Sequence, residues 1–251
     1  MVTLDDGTQG LLPQQWLSEH GLLTGLGKLH DDHLRYQNSQ AALLDALIRD
    51  QEEVQVDDGF QQARERLQQF DGIKPGKAAD TFHGKLRPYQ AQGLGWFSFL
   101  RWFGVGGVLA DDMGLGKTIQ VLAMLHNRKL VVDNNGKASE GAEQDHTDAT
   151  PHRPTLVVAP RSVVFNWMDE AEHFAPELKV LAYSGTEREA MRADFDDHDL
   201  IVTSYGLMRR DIADLKEHNF DYIVLDEAQA IKNPASQSAK AARLLTARHR
   251  L

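Results

Sequence analysis

The sequence has 251 residues, no cysteine, 41% hydrophobic and 25% charged side chains, and a formal charge of −10. These are ordinary globular proportions, with enough chain for one large domain or two smaller ones. They exclude a disulfide framework and a thiolate metal site; no apolar run approaches the roughly 20 residues of a membrane span, and the N-terminus lacks the basic-then-apolar plan of a signal peptide. The expectation is a cytoplasmic protein with no membrane partner. The acidic total hides an uneven distribution: residues 81–132 carry six Lys/Arg against two Asp/Glu, and after Glu227 come five Lys/Arg and no acid. A basic face is therefore compatible with an acidic chain.

Residues 1–80 read as polar and helical. Leu11–Leu17 places Pro13 near a helix start, and apolar stripes run through Ala41–Ile48 and Phe60–Phe70. Asp71–Gly76 is a turn-rich linker. No catalytic chemistry is visible here; His20, His30 and His33 lack metal-ligand company and are expected on the surface.

From Leu86 the pattern changes. Arg87-Pro88-Tyr89-Gln90 opens a helix whose Leu94, Trp96, Phe97, Phe99 and Leu100 make an aromatic, core-packing face. Apolar strands are expected at Val108–Ala110, Leu156–Ala159, Val180–Tyr183, Leu200–Thr203 and Tyr222–Leu225. Helices are expected between them at Lys117–Leu130, Ser162–Phe174, Glu187–Phe195 and Leu207–Glu217. The alternation predicts an α/β fold, a parallel sheet with helices on both faces. Asp133–Arg153 has no apolar rhythm and reads as a mobile surface loop carrying His146 and His152.

Two stretches carry chemistry. Gly106-Gly107-Val108-Leu109-Ala110 runs into Asp111-Asp112-Met113-Gly114-Leu115-Gly116-Lys117-Thr118. Nucleotide phosphates need several backbone N–H groups aimed at them, which calls for glycines able to take positive φ, here Gly114 and Gly116. A helix starting at Lys117 adds its dipole; Lys117 reaches the β- and γ-phosphates, and the Thr118 hydroxyl is placed to ligate Mg²⁺. The general pattern wants a glycine where Asp111 stands. The second stretch, Tyr222-Ile223-Val224-Leu225, reads as a buried parallel strand ending in Asp226-Glu227. Asp226 would then sit at the carboxyl edge of the sheet as the metal anchor, and Glu227 would orient or deprotonate the attacking water.

Read in order, these segments resemble the ATPase motor of SWI/SNF-type proteins in helicase superfamily two, bacterial type. The resemblance starts at Leu86-Arg87-Pro88-Tyr89-Gln90 and continues through Asp111–Gln120. It then takes in Leu156–Val163 with Asn166-Trp167, Leu200–Tyr205, and Asp226-Glu227-Ala228-Gln229-Ala230-Ile231-Lys232-Asn233. It implies a RecA-like lobe over residues 81–251, and the tail of a helical helicase-associated region plus linker over 1–80. The family's own phosphate loop also lacks the first glycine. Gln90, with Arg87 or Tyr89 nearby, matches the adenine-recognising position, and Asp112, Met113, Gly114, Leu115, Gly116, Lys117 and Thr118 match the phosphate cradle. Lys117, Asp226 and Glu227 match catalytic positions. Pro160, Arg161, Ser162, Thr203, Ser204 and Tyr205 match positions touching the DNA backbone, contacts that bind without reading sequence. The resemblance also implies a second RecA-like lobe, absent from this chain, which stops at Ala247–Leu251 where the family enters the strand carrying motif III. An arginine from such a lobe is worth roughly 10³–10⁵ in rate, so the chain alone is expected to hydrolyse ATP barely, if at all.

The function so implied is ATP-driven movement along duplex DNA, with ATP and Mg²⁺ as cofactors and a nucleoid-associated location in the cytoplasm. Two alternatives stand beside it. One is a non-catalytic nucleotide-fold interaction module, against which the intact Lys117, Thr118, Asp226 and Glu227 speak. The other is a small-molecule kinase, which would have no use for Gln90 or Ala159-Pro160-Arg161-Ser162.

Overall fold

The computed structural model describes residues 2–3, 9–10, 28–30, 33–36, 40–48, 55–133 and 152–251. They divide into two compact units, residues 1–71 and 72–251. The expected helix at Leu11–Leu17, His20, His146 and nearly all of the predicted loop lie outside the described residues. No helix among those described is long and apolar enough to cross a membrane.

In the first unit, helices α1 (Ala41–Ile48) and α2 (Asp58–Gln69) form where the apolar stripes predict them. The Asp57 carboxylate caps α2, accepting from the Phe60 N–H at 2.7 Å. The sequence reading contained no strands here, yet two short antiparallel ribbons occur: β1 (Val2–Thr3) with β2 (Gln9–Gly10), and β3 (Lys28–His30) with β4 (His33–Arg35). Strands of two or three residues are too short to display a period of two. His30 and His33 are register partners, and no metal-ligating group of three or more His, Cys, Asp or Glu occurs among the described residues.

The second unit is a RecA-like α/β fold. Its five-stranded parallel sheet runs in the order β6 (Val180–Ala182), β7 (Leu200–Ser204), β5 (Thr155–Ala159), β8 (Asn219–Leu225), β9 (Thr246–Arg250). Around it lie α3 (Pro88–Phe103), α4 (Lys117–Asp133), α5 (Val164–Phe174), α6 (Arg188–Met191), α7 (Tyr205–Arg210), α8 (Ile212–Leu215) and α9 (Gln237–Leu244). Both sheet faces are covered, which is why the strands read as unbroken apolar runs. Val157, Val202 and Val224 point to a cluster with Phe97, Leu122 and Trp167. Leu156, Ile201 and Ile223 point the other way, to Phe220, Met208 and Leu215.

Two strand expectations are corrected. Val108–Ala110 is irregular and not part of the sheet: the neighbouring Gly107 N–H donates to Arg250 O at 3.1 Å, and Val108 is 76% exposed. A single bond makes no ladder, and the preceding glycines offer no side chain to pack. Conversely, Thr246–Arg250, polar and without an apolar run, is itself a strand parallel to β8. The Leu207–Glu217 helix breaks in two at Asp211, whose carboxylate binds Arg188 at 2.6 and 3.0 Å and the Tyr183 hydroxyl at 3.1 Å. Ser162–Phe174 and Glu187–Phe195 likewise combine an α-helix with a 3₁₀ turn.

Candidate functional site

The glycine loop takes the shape its residues permit. Gly114 has φ +84° and Gly116 φ +74°, the left-handed region where a Cβ is disfavoured. At Gly116 a Cβ would also lie 2.7 Å from Gln90 Nε2 and 2.9 Å from Ile119 Cγ2. Lys117 closes α4 onto the loop: its ammonium donates to Asp111 O at 2.8 Å and Asp112 O at 3.2 Å. Asp111, standing where the general pattern has glycine, accepts from the buried Gln120 Nε2 at 2.9 Å, which fastens the loop entry to α4. Asp112, Met113, Gly114 and Leu115 are exposed, and Thr118 is half-buried.

Gln90 holds this loop from outside. It is buried; its Oε1 accepts from Arg87 N at 2.9 Å, capping α3, and its Nε2 donates to Leu115 O at 3.0 Å. The Tyr89 hydroxyl donates to the same carbonyl at 3.0 Å. Each end of the Gln90 amide is therefore fixed by one bond to protein, and its second N–H and second carbonyl lone pair are the groups an adenine would meet. Arg87 is exposed at the mouth of α3.

At the carboxyl end of β8 the arrangement is tighter. The Asp226 N–H donates to Val158 O at 2.9 Å. Asp226 Oδ2 accepts from the Trp167 indole at 2.9 Å, and its carbonyl accepts from the Tyr205 hydroxyl at 2.8 Å. Among the described residues Oδ1 has no protein partner. Glu227 has φ +52° and ψ +53°, the single positive-φ non-glycine among the described residues. Such a conformation costs about 1–3 kcal/mol and persists where its surroundings impose it. The Glu227 carboxylate accepts from Gln229 Nε2. Burial, then the negative charge of Asp226, pushes the Glu170 carboxyl above its usual range. Burial, then Asp226 and Glu227, likewise raises the Tyr205 hydroxyl.

These two clusters share one edge of the sheet. Gly107 is bonded to Arg250 at the end of β9, while Leu225 N donates to Leu251 O at 2.9 Å, so a single strand separates the loop entry from Asp226. Helix α4, beginning at Lys117, packs against α5, which carries Trp167. Ile119 from its first turn joins the same apolar cluster as Trp167 and Val224.

Along the same edge, a cleft of about 450 Å³ opens at the ends of β5, β6 and β7. It gathers Arg161, Thr203 and Ser204 from the expected DNA-backbone set and adds Phe165 and Arg210, which the sequence reading did not single out. Arg161 and Ser162 are exposed and Pro160 half-buried. Thr203 is fully buried, its hydroxyl donating to Tyr183 O at 3.0 Å. Ser204 caps α7, accepting from Leu207 N at 3.3 Å, and the Tyr205 hydroxyl is spent on Asp226. These three hydroxyls are thus engaged within the protein, and Arg161 and Arg210 are the cationic side chains of the cleft. Trp167, part of the resemblance through Asn166-Trp167, is buried in the core and also carries the bond to Asp226. His152, expected as a plain loop residue, pairs with Asp199 at 3.0 Å.

Residues 89–251 match the SNF2-related domain. The chain is 38% identical over 189 residues to a putative ATP-dependent helicase/translocase, YwqA, of Bacillus subtilis, covering 74% of this chain and 19% of that protein. It is 38% identical over 180 residues to the TATA-binding protein-associated factor MOT1 of Saccharomyces cerevisiae, covering 71% of this chain and 9% of that one. Among solved structures, the Sulfolobus solfataricus SWI2/SNF2 ATPase core in complex with dsDNA matches with a TM-score of 0.57 and 35% identity, over 72% of this chain and 33% of that chain. The chain therefore spans a fifth or less of these two relatives and a third of the solved core.

Proposed function

The chain belongs to the SNF2-related domain family, and from that premise we propose that it is the ATP-binding lobe of a motor that moves along duplex DNA. The observation that carries this reading is the shared sheet edge: a glycine loop with Lys117 at its end, one strand away from Asp226 and Glu227. In it, the loop N–H groups from Asp112 to Gly116 bind the phosphates, and Lys117 exchanges its two carbonyl partners for phosphate oxygens. Gln90, with Arg87 and Tyr89 beside it, faces the base.

The donor set fits Mg²⁺: the Thr118 hydroxyl and Asp226 Oδ1 are hard oxygen donors with no protein partner among the described residues. Held there, Mg²⁺ would supply charge neutralisation to the bound phosphates. Glu227 orients the attacking water and accepts its proton at the carboxylate. Arg161 and Arg210 meet DNA phosphates from the cleft, whose lining includes Thr203 and Ser204, with Pro160, Ser162 and Tyr205 adjoining these residues in the chain. Such contacts supply affinity and position without sequence preference. A second lobe supplies the charge-stabilising arginine, so full turnover belongs to the longer protein, in the cytoplasm on the nucleoid. The 1–80 region is an accessory segment preceding the motor. The intact Lys117, Thr118, Asp226 and Glu227 disfavour a non-catalytic interaction module.

The test is ATP hydrolysis by the full-length protein with and without duplex DNA. DNA is expected to stimulate the rate, and Lys117→Ala or Glu227→Gln to lower it by at least about 10², the scale of general acid–base catalysis. An undiminished rate in either variant defeats the assignment.

A further inference from the structure

We propose that Trp167 and Tyr205 are positioning residues that tie Asp226, by its carboxylate and its main-chain carbonyl respectively, to the cleft, so that DNA in the cleft sets Asp226 for Mg²⁺. This deepens the motor-lobe reading and rests on it.

Asp226 is held from two sides, its carboxylate by the Trp167 indole at 2.9 Å and its carbonyl by the Tyr205 hydroxyl at 2.8 Å. Each donor rides on an element that starts in the cleft. Trp167 lies on α5, one turn after Val164 and Phe165, which line the cleft together with Arg161 of the preceding 3₁₀ turn. Tyr205 opens α7, between the cleft residues Ser204 and Gly206. Both rings are buried, Trp167 at 2% and Tyr205 at 8% exposure, so neither can swing freely when its element shifts. A buried indole N–H needs an acceptor, and a main-chain carbonyl would serve as well for packing. Here the acceptor is the metal-anchoring carboxylate, and occupying Oδ2 leaves Oδ1 as the ligand.

A movement of α5 or α7 that follows occupancy of the cleft reaches Asp226 through one hydrogen bond in each case. Because coupling of two binding events is reciprocal, DNA should tighten Mg²⁺–nucleotide binding by the same factor that Mg²⁺–nucleotide tightens DNA.

The experiment is equilibrium binding of a fluorescent non-hydrolysable ATP analogue to the full-length protein, at zero and saturating Mg²⁺, with and without a short DNA duplex. Wild type, Trp167→Phe and Tyr205→Phe are compared, with thermal melting alongside. In Trp167→Phe the tightening due to Mg²⁺ is expected to fall roughly tenfold, the scale of one hydrogen bond to a charged group, and the further tightening due to DNA to vanish. Affinity without Mg²⁺ should match wild type. Tyr205→Phe is expected to show the same pattern at roughly a threefold loss, as a neutral bond. Mg²⁺ and DNA effects equal to wild type in a folded Trp167→Phe protein overturn the proposal, and so does a parallel loss of Mg²⁺-free affinity, the mark of mere packing. Should Trp167→Phe melt well below wild type, Tyr205→Phe decides by the same criteria. A wild type that binds the analogue no better than Lys117→Ala would instead overturn the nucleotide reading itself.

Discussion

The two edges of the central sheet handle charge in opposite ways. At the amino edge, polar groups satisfy one another. Arg128 grips Asp221 through Nε at 2.9 Å and Nη2 at 3.1 Å, with both side chains 7% exposed. Asp199 accepts from Lys129, His152 and the Lys179 N–H at 3.0, 3.0 and 2.8 Å. At the nucleotide end of the carboxyl edge, among the described residues, the Lys117 ammonium has only backbone carbonyls as partners, one Asp226 carboxylate oxygen has no partner, and Glu227 sits at φ +52°. The amino edge therefore carries stability, and the carboxyl edge holds unspent valence and backbone strain for ligands. Local rules are broken where a site needs them broken.

Asp221→Ala is the strongest test of that contrast. It removes the buried carboxylate that Arg128 grips through two nitrogens, an effect of about 3–5 kcal/mol, to be read from urea unfolding. Loss of under about 1 kcal/mol would mean that the amino edge is not the anchor described. Next, Gly116→Ala combines left-handed strain with the Gln90 contact and is expected to destabilise by about 2–3 kcal/mol. Gly114→Ala, where an added Cβ meets nothing within 4 Å, should cost about 1–2 kcal/mol. Equal effects at the two glycines would argue against the role of Gln90 in clamping the loop.

Smaller and opposite in sign, Glu227→Gly should relieve strain and raise stability by roughly 1 kcal/mol while removing hydrolysis from the full-length protein. Stability should also decline with acid in two stages. Burial holds His249 down, at about 4, so the folded protein refuses a proton that the unfolded chain accepts. Stability then falls as pH drops from about 6.5, the unperturbed histidine value. Asp221 and Asp199 are each raised by burial but held below the carboxylate range overall, by Arg128 in the first case and by Lys179, Lys129 and His152 in the second. Their contribution is present at neutral pH and is lost as pH falls below about 4. Unfolding midpoints at neutral, mildly acidic and strongly acidic pH check both stages, and His249→Gln should flatten the first.

The amino-acid sequence by itself determined the chemistry that is local. Positive-φ capacity at Gly114 and Gly116, the lysine that follows, twin acids after an apolar run, and the buried strands β5, β7 and β8 all lie within a few residues of their causes. Tertiary structure decided what depends on distant neighbours. Thr246–Arg250 has no strand pattern and becomes a strand because β8 offers it a partner; Val108–Ala110 has the pattern and lacks the ladder. Thr203 turns inward because Tyr183 presents a carbonyl 20 residues away. Trp167 looks like core until the fold brings Asp226 to its indole across 59 residues of chain. Apolar periodicity says that a side chain is buried, but its hydrogen-bond partner is fixed only when the helices and the sheet meet.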